Sequence, residues 1–118
     1  MTFKTPPTVT GLELLTFFEC EPRALDTTPW PYNEFRYFYS AQNEIVEFTT
    51  CPAEISVDMR IKRGGVIAYE LKASIALDLV YHNDDGRESL EIVLSERHQI
   101  FLTLKPHIAI FEEFSRGY

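Results

Sequence analysis

The sequence predicts a mainly β protein: an antiparallel meander of about eight strands forming a small barrel or sandwich. Three observations carry this prediction. Apolar and polar residues alternate along most of the chain from Phe35 onward. Turn formers such as Gly64-Gly65 and Asp85-Gly86 separate the alternating runs. Aromatic residues, which suit strands, make up 14% of the chain. The alternative is an α+β fold, a curved antiparallel sheet over one N-terminal helix, for which residues 10–20 are the candidate. At 118 residues the chain is expected to be a single domain, 1–118.

Residues 1–9, with Pro6 and Pro7, read as an extended lead-in. Residues 10–20 carry two signals. Thr10 followed by Glu13 is a capping box, and Leu12, Leu15 and Phe18 share a helical face. Against this, Thr16-Phe17-Phe18 favours strand, and Leu12-Glu13-Leu14 begins an alternation. Strand is preferred, because everything downstream is strand-like. Residues 22–33 form a loop or a short helical turn, broken by Pro29-Trp30-Pro31.

From Phe35 the period is two. Phe35, Tyr37 and Tyr39 point one way, and Arg36 and Phe38 the other. A turn at 41–44 returns the chain into residues 45–50, which Pro52 ends. Next, Ile55, Val57, Met59 and Ile61 face the core. Residues 66–82 read as one long strand with Ile67, Tyr69, Leu71, Ala73, Ile75, Leu77, Leu79 and Tyr81 on its apolar face. Strands usually run about five to six residues, so a bend or bulge near Lys72-Ala73-Ser74 is expected. Leu90, Ile92 and Leu94, then Ile100, Leu102 and Leu104, point inward from two further strands. Pro106 ends the ladder, and residues 107–114 are a last strand or a short closing helix.

Composition narrows the function. The net charge is −7, whereas phosphate backbones are bound through Lys and Arg, so nucleic acid is not an expected partner. The one basic cluster, Arg60, Lys62 and Arg63, stands beside Gly64-Gly65 and reads as a solvated turn. No signal peptide is evident at the start, and the apolar run at 12–18 is too short to span a bilayer, so no membrane is expected. Cys20 and Cys51 lack the close second ligand of a zinc motif and read as reduced thiols of a cytoplasmic protein.

Nucleotide-binding glycine loops, metalloprotease motifs and hydrolase elbows are not found. His82, Asp84, Asp85 and Glu88 lack calcium-loop spacing and read as a hairpin tip, and Glu19 and Glu21 as solvated carboxylates. No catalytic residue, metal or cofactor is assigned, and an enzyme is disfavoured.

The densest feature is the aromatic stretch at 27–40. Trp30 and Tyr32, stiffened by prolines, and the out-facing Arg36 are the candidate binding residues, since Trp, Tyr and Arg are enriched at interface hot spots. The sequence therefore predicts a small, acidic, non-catalytic binding protein with an inhibitor- or immunity-like role. Its partner is a basic protein, or a second copy paired through edge strands into a homodimer. The alternative is a small-molecule carrier or enzyme, with a ligand in a barrel lined by Tyr37, Tyr69 and Tyr81.

Overall fold

The computed structural model describes residues 7–30 and 32–114, with backbone only at Ala73 and Ser74. Among these residues one helix, α1 (Gly11–Phe18), precedes nine strands. β1 (Arg23–Ala24), β2 (Phe35–Ala41), β3 (Glu44–Cys51), β4 (Ser56–Arg63) and β5 (Val66–Ile75) form one antiparallel sheet in chain order. β6 (Asp78–Asp84), β7 (Arg87–Ser95), β8 (His98–Thr103) and β9 (Ala109–Phe114) form a second. The protein is thus a mainly β meander folded into two sheets, with a helix over them. Both forms of the expected fold meet in it.

Residues 10–20 correct the strand preference. Thr10 accepts from the Glu13 N–H and Glu13 Oε1 accepts from the Thr10 N–H, closing the capping box, while Glu19 ends the helix in the left-handed region. Thr16 does not force a strand, because its hydroxyl donates back to the Leu12 carbonyl. The buried face is Leu14, Phe17 and Phe18 rather than the Leu12, Leu15 and Phe18 of the expected register, and Leu12 is exposed. The strand-favouring aromatics serve as the helix's core contacts.

Phe18 stacks on Tyr37 (centroids 5.0 Å apart) and meets Phe48 at 5.3 Å. Around them close Val46, Val57, Met59 and Ile61 from one sheet, and Leu79, Leu90, Ile92, Ile100 and Leu102 from the other. Buried side chains of both sheets thus meet between them, where a carrier would hold its ligand.

The long strand at 66–82 is two strands in different sheets. Val57 pairs with Ser74 but Met59 with Leu71, which leaves one extra residue in β5 at Lys72–Ala73, where a bulge was expected. The extra residue reverses the faces over the rest of β5 and into the corner, while Leu79 and Tyr81 beyond it in β6 turn toward the core. Ile75 and Leu77, expected inside, are exposed, as is Ile67 beyond the other register shift of β5, and Ala76 turns in, its N–H bonded to the Ile55 carbonyl. Ala76 and Leu77 form the corner where the chain changes sheets. Residues 107–114 end in a strand, not a helix.

Candidate functional site

The site is an open groove of ≈ 410 Å³ between the start of α1, residues 21–30 and the inner face of β2. Leu12 and Leu15 come from the helix, Pro22 and Trp30 from the loop, and Phe35 and Tyr37 from the strand. Alternation explains the strand's share, since Phe35 and Tyr37 point inward and form the floor. The Trp30 ring leans on Phe35, centroids 5.3 Å apart, and lies over Gly11, where an added Cβ would meet it at 3.5 Å.

The loop that carries Trp30 is built by Asn33, whose side chain is buried. Asn33 Nδ2 donates to the Asp26 and Thr28 carbonyls at 2.8 and 2.7 Å, and Oδ1 accepts from the Glu34 N–H at 2.7 Å. Asp26 in turn accepts from the Thr28 N–H. Hydrogen bonds from Thr28, side chain first and then backbone, hold the Asp26 carboxyl below its ordinary range. Tyr37 is pushed up to about 12, chiefly by burial, with Cys20 and Glu21 adding to it. The floor is accordingly neutral, while the rim carries two carboxylates, Glu21 and Asp26, and among the described residues no Lys or Arg.

The three sequence-predicted residues do not form one pocket. Trp30 is 36% exposed and walls the groove, whereas Tyr32 is 71% exposed and stands free of it. Pro31 lies outside the described residues. Arg36 points from the opposite face of β2 into shallow polar hollows with Glu34 and Asp58. It stands opposite Arg23, which lies over the Phe38 ring at 5.7 Å.

Sequence reasoning missed Arg23, because residues 22–33 were read without a strand. It missed Leu12 and Leu15 as groove walls, because helix and loop meet only in the fold. Leu25, 71% exposed, extends the apolar surface beside Arg36.

The other candidates have local roles. Arg60 pairs with Glu70 at 2.9 Å, Lys62 with Glu47 at 3.3 Å and Arg63 with Glu44 at 3.1 Å. The basic cluster is therefore answered within the sheet rather than offered to phosphate. His82 lies in β6 near the hairpin that Asn83 closes by accepting from the Gly86 N–H, and it meets Glu91 at 2.7 Å. Glu19 pairs with Lys105, and Cys20 and Cys51 are free thiols. Among the described residues no helix is long and apolar enough to cross a membrane, and no three His, Cys, Asp or Glu gather as a metal set.

No family model matches the chain, and no curated protein matches it by sequence. By structure it is similar to a chain of a contact-dependent growth inhibition toxin–immunity protein complex from Klebsiella pneumoniae 342. The TM-score is 0.74 at 17% identity, over 95% of this chain and 98% of that one. At that identity the likeness establishes a shared fold.

Proposed function

We propose that this chain is a non-catalytic, cytoplasmic binding protein of the immunity type, which holds a basic partner protein through the surface centred on Trp30. The observation that carries the reading is the groove itself: an apolar floor, a half-open Trp30 and a rim whose described charges, Glu21 and Asp26, are both acidic. Large apolar side chains rimmed by polar groups mark interaction sites on soluble proteins. Burial of Tyr37 in the core between the sheets supports a surface use over a ligand held inside. The full-length likeness to a chain from a toxin–immunity complex supports the narrower, immunity-type role. Acidic rims attract basic partners and speed their encounter. Arg36 and Tyr32 would then contact the partner outside the groove, with Arg23 beside Arg36.

A second reading has one observation behind it. The groove's volume, ≈ 410 Å³, lies within the size range of small-ligand clefts.

The test compares the protein and its Trp30→Ala variant as baits in the source cell's lysate. The variant is expected to lose about 1–2 kcal/mol of stability, short of the roughly 3–5 kcal/mol for a fully buried Trp, and to stay folded. A stoichiometric basic partner held by the parent and released by Trp30→Ala supports the reading. A partner held equally by both baits sinks it. A small molecule seen in the groove by native mass spectrometry moves the assignment to the second reading.

A further inference from the structure

Sheet edges are where a meander risks unplanned pairing, and this chain covers or blunts its edges unequally. β1 is two residues long. β6 is covered by the N-terminal segment: the Val9 N–H donates to the Leu79 carbonyl at 2.8 Å, and Thr8 donates from N–H and hydroxyl to the Asp78 carboxylate. β5 is interrupted by two register shifts against β4 and carries Glu70 and Lys72.

Among the described residues β9 is neither covered nor interrupted, and its charges are two carboxylates, Glu112 and Glu113. It pairs with β8 in unbroken register from Thr103↔Ala109 to His98↔Phe114, with no bulge, Pro or Lys. Phe111 and Phe114 are 63% and 68% exposed. The strand is also well braced. Glu112 accepts from the Tyr69 hydroxyl of β5 at 3.3 Å, and the His98 ring stacks on Phe114 at 4.2 Å.

The geometry points to β9 as a second docking edge, which adds an extended segment of a partner protein as one more strand of the four-stranded sheet. Main-chain hydrogen bonds along a free edge give affinity, and alternate side chains give specificity. Here the alternation is informative. Ile110, Glu112 and Phe114 share one face, on which Ile110 packs against the core and Glu112 is already engaged. Phe111 and Glu113 share the outer face, and among the described residues Glu113 has no ion pair. The matching segment carries an apolar residue opposite Phe111 and a Lys or Arg opposite Glu113, two positions apart. A second copy of this chain fits worse. Residues Ala109–Phe114 hold no Lys or Arg to set against Glu113, and pairing would bring together two chains of net charge −7.

This edge shares no residue with the Trp30 groove, so the two assignments stand or fall separately. The test follows backbone amide shifts and hydrogen exchange of the ¹⁵N-labelled full chain while soluble peptides of Val-Thr-Lys-Thr repeats (Val–Lys), or Val-Thr-Glu-Thr repeats (Val–Glu), which place Val and the charged residue two positions apart on one face, are added. The Val–Lys peptide is expected to shift and protect amides of Ala109–Phe114, and the Val–Glu peptide to do so more weakly. Glu113→Lys, at an exposed position, is expected to leave the fold intact and reverse the preference, with roughly a fivefold loss for the Val–Lys peptide. Trp30→Ala is expected to leave this binding unchanged. Absence of β9 shifts with either peptide, or an unchanged preference in Glu113→Lys, overturns the proposal. A sedimentation dimer of the parent chain that Glu113→Lys alters would give the edge to a second copy instead.

Discussion

Tyr37 and Trp30 come from the same aromatic stretch and have opposite fates. Tyr37 is sealed, 1% exposed, with its ring stacked on Phe18. Trp30 lies on the same wall of the molecule and keeps over a third of its surface in solvent. The difference is backbone, not side-chain chemistry. Tyr37 belongs to a strand whose register with Phe48 and Arg36 with Thr49 fixes which face turns in. Trp30 belongs to a loop held by side-chain-to-backbone hydrogen bonds, and no ladder dictates how deeply it sits. Aromatic density alone says nothing about burial. The mode of backbone satisfaction decides it.

The sharpest way to break the sealed side is Phe18→Ala. Phe18 touches Phe17, Tyr37 and Phe48 at ring separations of 5.0, 5.0 and 5.3 Å. Its truncation removes the helix's main anchor at the centre of the core, and a loss of about 3–5 kcal/mol is expected in urea unfolding. A loss below that of Trp30→Ala would reverse the contrast drawn between the two sites.

Asn33→Ala attacks the open side through its scaffold. The side chain makes three hydrogen bonds that hold residues 26–34 in place, and it is buried, so its loss leaves Asp26 and Thr28 carbonyls to find new partners. About 2–3 kcal/mol is the expected cost. Increased exchange of the amides at 26–34, with β2–β4 unchanged, would show that the loop is a separate unit. Uniform exchange across the sheet would show that it is not.

Tyr37 also gives the sealed side a pH signature. Its folded value, about 12, lies above the ordinary 10.0 of the unfolded chain, mainly through burial. The neutral phenol's contribution is therefore complete below the unfolded value and disappears as pH rises through the folded one. Between those limits the parent is expected to lose stability relative to Tyr37→Phe, by on the order of 2 kcal/mol at the top of the range. Parallel alkaline profiles for the two proteins would mean the phenol reaches water through the groove.

Much of this was legible in the sequence, and the gaps have physical causes. β2, β3, β4, β7 and β8 were readable because each buries one face and exposes the other, which writes a period of two into the chain. The helix was written just as plainly in Thr10 and Glu13, but Thr16-Phe17-Phe18 spoke for a strand. A helix buried against a sheet needs the same bulky residues there. The corner at Ala76 was hidden because a one-residue bulge leaves the apolar spacing of the sequence intact while reversing its faces. In the site, Trp30 announced itself by composition. Its neighbours Leu12 and Leu15 did not, since nothing local links a helix to a groove that a later strand completes.

Thr50→Val is the smallest expected effect and the only one of opposite sign. Thr50 is fully buried on β3, opposite Phe35 and Val57, and its Oγ1 has no hydrogen-bond partner among the described residues. A buried hydroxyl without a partner keeps its desolvation penalty and returns nothing for it. Valine has nearly the same shape and no polar atom, and both residues favour strands. A gain of about 1 kcal/mol in the urea midpoint, with an unchanged slope, is the expected result. A loss of that size would mean the hydroxyl is satisfied, by a water reaching it from the Phe35 side. The boundary between the sealed core and the open groove would then lie one strand deeper than Phe35 and Tyr37 place it.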